Sequence, residues 1–417
     1  MQITVQRSKI SGEVDAPPSK SYAQRALAGA LLVRGTTTIR NPSRSDDALA
    51  AMRIISQLGA SIDDQGDHLV VKGGFNPKGQ KLDCGEAGLS LRMFSPIAAL
   101  ADQTMMMNGT GSLLKRPVQM ITDSLNQLGC RCQSQDGFLP VWIKGPLKSG
   151  KAAIDGSVSS QLVTGILMAL PVVRGDSEII VNNLQSLPYI DMTINILKQF
   201  GIFVTHHQYE RFQISGKQKY RPAIITVEGD WSGAAFLLVA GALAGSVTVA
   251  GLQADSLQAD RQILRALGFA GARIGITEDR VSVSRDELRA FDFDATHCPD
   301  LFPPLVALAA HCNGVSRIEG VGRLIHKESN RAKVLQEEFY KLGISIRQEG
   351  GNLYVTGPSL MKNGEVDSRG DHRIAMAAAT LAMIARTPVK ISGSECVAKS
   401  YPGFYRDLKS LGGRIDE

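Results

Sequence analysis

One short pattern occurs six times along the chain, and this periodicity limits the folds it can adopt. In each copy, an apolar residue and two mostly polar ones precede Leu-Gly or Phe-Gly. A short run of alternating apolar and polar residues follows the glycine. The glycines are Gly59, Gly129, Gly201, Gly268, Gly343 and Gly412, separated by 70, 72, 67, 75 and 69 residues. Glycine adopts a left-handed conformation without a Cβ penalty, so we expect each glycine to end a helix and each alternating run to form a strand.

The residues before each glycine extend the pattern into a larger unit. An apolar helix, such as residues 234–244, comes first, and a strand, a polar loop and an amphipathic helix follow. With the returning strand, each unit reads helix, strand, helix, strand, strand. Units of about 70 residues exceed those of solenoids, which favours small subdomains grouped in space. The apolar helices should be buried on all sides, with the amphipathic helices outside.

A polar, turn-rich stretch at residues 214–233 separates the third unit from the fourth. A domain boundary is plausible there, which gives two halves of three units each. The size of the chain agrees with this division, because 417 residues with 43% hydrophobic content favour two or three domains.

The charge balance argues against a nucleic-acid partner. The formal charge is +6, blocks of like charge are absent from the sequence, and aromatic residues make up 6%. We interpret the cationic surplus as a pocket for anionic small molecules, and an alkaline surface is the alternative.

The sequence carries only weak signals for membrane targeting or metal binding. The first residues alternate like a strand, and no later apolar stretch reaches the length of a membrane span, so no membrane partner is expected. The six cysteines include no C-x-x-C pair, which predicts neither a zinc site nor a disulfide framework and favours the cytoplasm. Neither a metal nor a cofactor is expected.

Small polar and charged residues cluster where the predicted buried helices begin. They are Ser19, Lys20, Ser21 and Arg25; Gly85, Glu86, Gly88, Ser90 and Arg92; Ser159, Ser160 and Gln161; Asp300; and Asp371, His372 and Arg373. Helix starts present free backbone N–H groups and the positive end of the helix dipole, so together they predict an anion receptor.

A simpler explanation is that the serines and aspartates are only N-caps, and for Ser159 that alternative stays open. It does not account for the cations. Lys20, Arg92 and Arg373 lie near helix N-termini, where the dipole disfavours positive charge unless an anion offsets it. A buried guanidinium such as Arg25 also needs a partner.

The loops before the amphipathic helices add a second set of polar residues. They are Ser43, Arg44 and Asp46; Lys115 and Arg116; Ser186 and Tyr189; Lys327, Glu328 and Arg331; and Lys399. Charged loops are commonly solvated, which we take as the default for Arg44 and Asp46. The other cationic loops occupy equivalent positions in the repeats and should converge on one cleft.

At these residues the chain resembles the EPSP synthases over essentially its full length. The motifs are PPSKSYAQRAL, GEAGLSLR, KRP, DGSVSSQ, SLPYID, PD, KESNR, DHR and AKSYPGF, in the family's order and spacing. The resemblance implies an α/β, two-domain enolpyruvyl transferase fold, an inside-out α/β barrel with three repeats per domain. Residues 1–18 and 229–417 would form the first domain and residues 19–228 the second, with the active site in the cleft between them.

The resemblance also implies the reaction. The family transfers the enolpyruvyl group of phosphoenolpyruvate to the 5-hydroxyl of shikimate 3-phosphate, a step of aromatic amino acid biosynthesis, and a monomer is expected. Two alternatives stay open. One is a transferase acting on a UDP-sugar, which usually has Asn where Ser21 stands. The other is a non-catalytic phosphometabolite-binding protein, which would not need the carboxylates of Asp300 and Glu328.

Site residues follow from the matched motifs. The expected shikimate 3-phosphate ligands are Lys20, Ser21, Arg25, Ser159, Ser160, Gln161, Ser186, Asp300 and Lys327. The expected phosphoenolpyruvate ligands are Lys20, Gly88, Arg92, Arg116, Gln161, Arg331, Arg373 and Lys399. Lys20, Asp300 and Glu328 would be the catalytic residues.

The chain departs from the family pattern near its GEAGLSLR motif. Leu89 stands where the family commonly has Thr, Met93 where it has Pro, and Glu86 where Asn is frequent. Arg323 replaces another frequent Asn. These changes bear on the shape of the phosphoenolpyruvate pocket. Glyphosate inhibits the family, and the unsubstituted Gly88 favours sensitivity.

Overall fold

The computed structural model describes residues 1–157 and 159–416. The chain divides into two compact units. The discontinuous unit comprises Met1–Pro17 and Glu228–Glu417, and the continuous unit comprises Pro18–Val227. The chain therefore passes from one unit to the other twice, at residues 17–18 and at residues 227–228.

The α-helices alternate between apolar and amphipathic along the chain. They are α1 (Lys20–Leu32), α2 (Asp46–Gln57), α3 (Gly88–Ala98), α4 (Gln119–Gln127), α5 (Gln161–Ala169), α6 (Leu187–Gln199), α7 (Trp231–Ala244), α8 (Ile263–Ala270), α9 (Phe302–Ala309), α10 (Arg331–Lys341), α11 (His372–Ala382) and α12 (Phe404–Ser410). Short 3₁₀ turns occupy Gly111–Lys115, Leu170–Val172, Ala259–Gln262, Pro299–Leu301, Val321–His326 and Ser394–Lys399.

The strands are short, as expected for small repeated sheets. They are β1 (Gln2–Gln6), β2 (Ile10–Asp15), β3 (Thr36–Arg40), β4 (Ser61–Asp64), β5 (His68–Lys72), β6 (Lys81–Asp83), β7 (Thr104–Asn108), β8 (Arg131–Gln135), β9 (Phe138–Lys144), β10 (Lys151–Asp155), β11 (Ser177–Asn182), β12 (Thr205–His207), β13 (Arg211–Ile214), β14 (Ile224–Thr226), β15 (Gly245–Ala250), β16 (Arg273–Ile276), β17 (Arg280–Ser284), β18 (Asp292–Asp294), β19 (Gly314–Glu319), β20 (Ser345–Glu349), β21 (Asn352–Gly357), β22 (Gly364–Asp367), β23 (Val389–Ser392) and β24 (Arg414–Asp416).

Each repeat contributes most of one four-stranded sheet. The strand orders are β14-β3-β5-β4, β6-β7-β9-β8 and β10-β11-β13-β12 in the continuous unit, and β2-β15-β17-β16, β18-β19-β21-β20 and β22-β23-β1-β24 in the discontinuous unit. In most sheets a short first strand runs parallel to the second, as β10 does beside β11 with Ile154 opposite Val181. The predicted repeat lacked this first strand because three to five residues give too little periodicity to identify it.

Strands from outside a repeat complete three of the sheets. The N-terminal β1 lies antiparallel to β23, with Ile3 opposite Ile391, and β2 lies parallel to β15. In the continuous unit, β14 lies parallel to β3, with Ile225 opposite Ile39. Residues at both ends of the chain therefore fold into the discontinuous unit, as the resemblance implies for the N-terminal strand.

The apolar helices form the centre of each unit. In the discontinuous unit α7, α9 and α11 pack against one another, and every residue of α7 except Ser232 is buried. In the continuous unit α3 packs along α5 and α1 contacts α3. Gly165 permits the close approach of α3 and α5, because a Cβ there would lie 2.4 Å from the carbonyl oxygen of Met93. The prediction that the apolar helices are buried is confirmed.

Five of the six repeat glycines adopt the predicted conformation. Their φ angles are positive, from +74° at Gly201 to +118° at Gly59. Gly268 is the exception, because it lies inside α8, and Gly271 with φ +90° ends that helix instead. The sequence GFAG offers two glycines three residues apart, and the second takes the left-handed position that stops the helix.

All six cysteines are buried and free of disulfides. Across residues 1–157 and 159–416 no cluster of His, Cys, Asp and Glu could hold a metal ion. In the same ranges, no helix combines the length and the hydropathy that crossing a bilayer requires.

We predict that Gly165→Ala destabilises the continuous unit. The added methyl group would force α3 and α5 apart, which should lower the free energy of unfolding by about 1–3 kcal/mol. Urea denaturation followed by circular dichroism measures this. Gly79→Ala is the control, since nothing lies within 4 Å of a Cβ at Gly79. Equal stabilities of the two variants would contradict the prediction.

Candidate active site

The start of α1 carries the first predicted site residues. Ser19 is the N-cap, and its side chain accepts a hydrogen bond from the Tyr22 backbone. Lys20 forms a salt bridge of 2.9 Å with Asp47, and the two side chains are only 13% and 12% exposed. The carboxylate offsets the unfavourable position of Lys20 near the positive end of the α1 dipole.

Arg25 is buried among neutral partners. It donates to the Thr193 hydroxyl (2.9 Å), the Ser21 carbonyl (2.8 Å) and the Thr164 hydroxyl (3.4 Å). The Tyr189 ring lies 5.8 Å from its guanidinium carbon. Burial lowers the pKa of Arg25 to about 10. Within the described ranges no carboxylate pairs with this cation, so an external anion would stabilise it.

Two arginines and a glutamine converge on Gly88, the first residue of α3. A Cβ at Gly88 would lie 2.6 Å from Nη1 of Arg116, 3.0 Å from Nη1 of Arg92 and 3.7 Å from Oε1 of Gln161. Arg92 donates to Gln161 (3.1 Å), and Arg116 donates to Ser112 (3.4 Å). Residues from three separate segments thus place two guanidinium groups at one helix start, which suits a carboxylate or a phosphate.

The predicted serines lie at the starts of α5 and α6. Ser159 accepts a hydrogen bond from the Gln161 backbone (3.1 Å), and Ser160 directly precedes α5. Ser186 precedes α6 with a left-handed φ of +57°. All three serines are buried. The bond from Gln161 supports the simpler explanation for Ser159, which is a local cap.

In the discontinuous unit, Asp300 is the centre of a charged network. Its Oδ1 accepts from Lys327 (3.2 Å) and Arg331 (2.9 Å), and its Oδ2 accepts from Arg373 (3.2 Å). The Asp300 side chain is 21% exposed and the Lys327 side chain 20%. Three cations from two segments of the chain therefore bind one carboxylate.

Arg331 connects three carboxylates and is fully buried. Its Nη2 donates to Glu328 (2.6 Å), and its Nε donates to Asp371 (3.0 Å), in addition to the bond with Asp300. Asp371 is also the N-cap of α11, where it accepts from the Arg373 backbone. Arg331 thus holds both predicted catalytic carboxylates in place in this structure.

The charges of the network change the ionisation of its members. Although burial acts to raise the pKa of Asp300, the charges of Arg373, Lys327 and Arg331 lower it well below its usual range. Burial lowers the pKa of Lys327 to about 8, against the opposing effect of Asp300. Asp300 is therefore ionised at neutral pH, and Lys327 loses its charge at a mildly alkaline pH.

Lys399 lies beside the start of α11 in the discontinuous unit. The departures Glu86, Leu89 and Met93 lie at α3 in the continuous unit. Lys399 donates to the Gly370 carbonyl (2.7 Å), one residue before Asp371. In the continuous unit, the Glu86 carboxylate accepts from the Ser112 backbone (2.9 Å) and ties the start of α3 to the turn before Arg116. Leu89 and Met93 are both buried.

The sequence did not identify several partners of these residues. Asp47, Thr164, Thr193 and the bonds of Asp371 to Arg331 were not predicted. Asp47 directly follows Asp46 in a charged loop, and only a search for a counter-ion of Lys20 could have singled it out. The threonines carry no sequence signal, because they lie within helices far along the chain. Arg44 pairs with Asp64 on the surface, in line with its default as a solvated residue.

Relatives with solved structures share this architecture. EPSP synthase from Acinetobacter baumannii superimposes with a TM-score of 0.84 at 24% identity, and the match covers 100% of both chains. The enolpyruvyl transferase NikO from Streptomyces tendae gives a TM-score of 0.82 at 18% identity over 99% of this chain and 98% of its own. The chain therefore has the enolpyruvyl transferase fold.

Sequence comparison gives the family. The family model for EPSP synthase (3-phosphoshikimate 1-carboxyvinyltransferase) matches residues 5–408. The enzyme of that name from Clostridium kluyveri is 39% identical over 100% of this chain and 98% of its own, and the one from Methanocorpusculum labreanum is 36% identical over 100% of both. The chain belongs to the EPSP synthase family.

We predict that Gly88→Ala weakens the binding of phosphoenolpyruvate. The new methyl group would displace the guanidinium groups of Arg116 and Arg92, and a loss of one well-placed contact corresponds to about tenfold in affinity. The KM for phosphoenolpyruvate measures this. Gly79→Ala should leave KM unchanged. A parental KM in Gly88→Ala would show that the two arginines do not act at this position.

Proposed function

We infer that this protein transfers the enolpyruvyl group of phosphoenolpyruvate to the 5-hydroxyl of shikimate 3-phosphate, releasing phosphate. Its membership of the EPSP synthase family over nearly the whole chain supports this function. The single structural observation that carries it is the network of Asp300, Lys327, Glu328, Arg331 and Arg373, which combines cations for anionic substrates with carboxylates for proton transfer.

The anionic substrates fit the cations of both units. Phosphoenolpyruvate has a carboxylate and a phosphate, and we propose that Arg92, Arg116, Arg373 and Lys399 bind them, with Gln161 and Gly88 alongside. Shikimate 3-phosphate would use Ser21, Arg25, Ser159, Ser160, Ser186 and Lys327. Because a single reaction requires both substrates, we propose that the residues of both units act on one ternary complex.

Arg331 fits a positioning role within this proposal. Arg331 donates four hydrogen bonds to carboxylate oxygens of Asp300, Glu328 and Asp371. A direct bond to phosphoenolpyruvate, as the resemblance implies, would use its remaining capacity or replace one of these contacts. Either way, the cation would hold Asp300 and Glu328 beside the reacting atoms.

The reaction needs a base at the attacking hydroxyl and an acid at C3 of phosphoenolpyruvate. The hydroxyl oxygen attacks C2 of phosphoenolpyruvate and its proton passes to Asp300. Glu328, after taking up a proton from solvent as the substrates bind, gives that proton to C3. The tetrahedral intermediate then loses phosphate with the help of Lys20, and C3 returns its proton to Glu328. The proton held by Asp300 leaves with the phosphate, so the charges and protons balance.

Substrate binding would strengthen Asp300 as a base. Arg373, Lys327 and Arg331 keep the pKa of Asp300 well below its usual range, against the effect of burial. Such a carboxylate is ionised but weakly basic. When anionic substrates share these cations, their effect on Asp300 decreases and its pKa rises toward the operating pH, where proton transfer is most effective.

Only the two small-molecule substrates are needed, and all the proposed ligands come from one chain, so a monomer suffices. Six buried free thiols agree with a reducing cytoplasm.

The function is tested by measuring phosphate release from phosphoenolpyruvate and shikimate 3-phosphate. The parent protein should release phosphate, and Glu328→Gln should be slower by on the order of 100-fold, because the amide cannot deliver a proton. Glu337→Gln, on the exposed side of α10, is the matched control and should keep parental activity. No phosphate from the parent would refute the function, whereas full activity of Glu328→Gln would refute only the role of Glu328.

Shikimate 3-phosphate binding should weaken as the pH rises through about 8. The protonated Lys327 attracts the phosphate, and burial lowers its pKa to about 8, so the cation is present below that pH and lost above it. Calorimetry at pH 7 and pH 9 should show a Kd increase approaching tenfold in the parent. Lys327→Arg keeps its charge and should show a much smaller change. An equal pH dependence in both proteins would contradict the assignment.

A further inference from the structure

Glu338 is a buried carboxylate of α10 that the proposed reaction does not use. Its side chain is inaccessible to solvent. Oε1 accepts hydrogen bonds from Nε (3.2 Å) and Nη2 (2.9 Å) of Arg369, and Oε2 accepts from the Asp367 backbone (2.9 Å) and from Lys341. A buried carboxylate is stable only where hydrogen bonds and opposite charges replace its water, and these partners supply both.

The segment that Glu338 binds leads directly into α11. Only Ser368, Arg369 and Gly370 separate the end of β22 from Asp371, the N-cap of α11. Arg369 and Gly370 both adopt left-handed backbone conformations, with φ angles of +53° and +69°. This conformation is unfavourable for a residue with a Cβ, so contacts of Arg369 have to maintain it. The hydrogen bonds from its guanidinium to Glu338 are such contacts.

The same loop, residues 368–370, sets the position of two cations proposed above to bind phosphoenolpyruvate. Lys399 donates to the Gly370 carbonyl (2.7 Å). Arg373 is the second residue of α11, and its backbone donates to the Asp371 cap (3.0 Å). A shift of the loop would therefore move both cations.

Helix α10 binds this part of the chain at two points. Arg331, the first residue of α10, donates through Nε to Asp371 (3.0 Å), and Glu338 follows seven residues later in the same helix. Seven residues make almost two helical turns, so the two side chains lie on one face of α10, about 10 Å apart along its axis. Arg331 thus holds the residue after the loop, and Glu338 holds the residue before it and Arg369 within it.

We propose that Glu338 is a positioning residue for phosphoenolpyruvate, which holds the loop of residues 368–370 in the shape that places Arg373 and Lys399. This inference rests on the proposed function, in which these two cations bind that substrate. Because Glu338 is buried and both of its oxygens already accept hydrogen bonds, it acts through the loop and not on the substrate. The proposed ligands of shikimate 3-phosphate lie outside the loop, so the effect of Glu338 is selective for phosphoenolpyruvate.

The test is Glu338→Gln, assayed for kcat and for the KM of each substrate. Glutamine matches glutamate in size, but its amide nitrogen is a donor and would face N–H groups that the carboxylate now accepts from. The KM for phosphoenolpyruvate should rise on the order of tenfold, and the KM for shikimate 3-phosphate should change by less than about twofold. Glu337→Gln, at the neighbouring exposed position of α10, is the matched control and should keep the parental values.

The split between KM and kcat separates positioning from a merely structural role. Loss of folded enzyme would lower kcat and leave both KM values unchanged, and that result would overturn the inference while the function stands. Equal increases of both KM values would overturn it as well, since the loop carries none of the proposed shikimate 3-phosphate ligands. A parent protein that releases no phosphate would refute the proposed function and this inference with it.

If Glu338→Gln does not fold, Arg369→Gly decides. The Arg369 side chain is 49% exposed, and glycine adopts the left-handed conformation without a Cβ penalty, so this variant should fold. It removes the hydrogen bonds between the loop and Oε1 of Glu338. The KM for phosphoenolpyruvate should again rise selectively, and a parental KM would overturn the inference.

Discussion

The ion pairs of the buried Arg331 hold together the carboxylates of the discontinuous unit that we propose as catalytic. A single guanidinium joins Asp300 in the turn before α9, Glu328 in the loop before α10 and Asp371 at the start of α11. These residues belong to two different repeats, and α9 and α11 are buried with few polar groups of their own. Removing one member would leave an uncompensated buried charge, at a cost of roughly 3–5 kcal/mol. The geometry of the site and the stability of this unit therefore depend on the same interaction.

Arg25 shows the opposite arrangement in the continuous unit. It is as deeply buried as Arg331, but its partners are two threonine hydroxyls and a backbone carbonyl. Neutral partners satisfy its donors without cancelling its charge, and burial lowers its pKa to about 10. The positive field of Arg25 is therefore available to an incoming anion, whereas that of Arg331 is used within the protein.

Much of the fold could be predicted from the sequence because it repeats. Five regularly spaced glycines end helices as predicted, and the six apolar segments form the buried helices. The remaining glycine, Gly268, was misassigned because Gly271 ends that helix instead. The site is less predictable, since its contacts join distant positions: Arg25 and Thr193 are 168 residues apart. Family motifs indicated the cations, but their partners depend on packing, so Asp47 and the threonines could not be found from local patterns.

The repeats share one backbone plan but differ in the residues at the starts of their buried helices. This difference decides whether a helix start holds a carboxylate of the protein or an external anion. At the starts of α7 and α11, the side chains of Asp230 and Asp371 accept backbone N–H groups, so carboxylates of the protein already occupy these positive helix ends. The residue before α3 is Ala87, whose side chain cannot cap, and the first residue of the helix is Gly88, against which two guanidinium groups lie. A helix end without an internal carboxylate attracts an external anion, whereas a capped one keeps its own acidic groups in place. The start of α3 is therefore suited to holding an external phosphate or carboxylate, whereas the starts of α7 and α11 hold carboxylates of the protein.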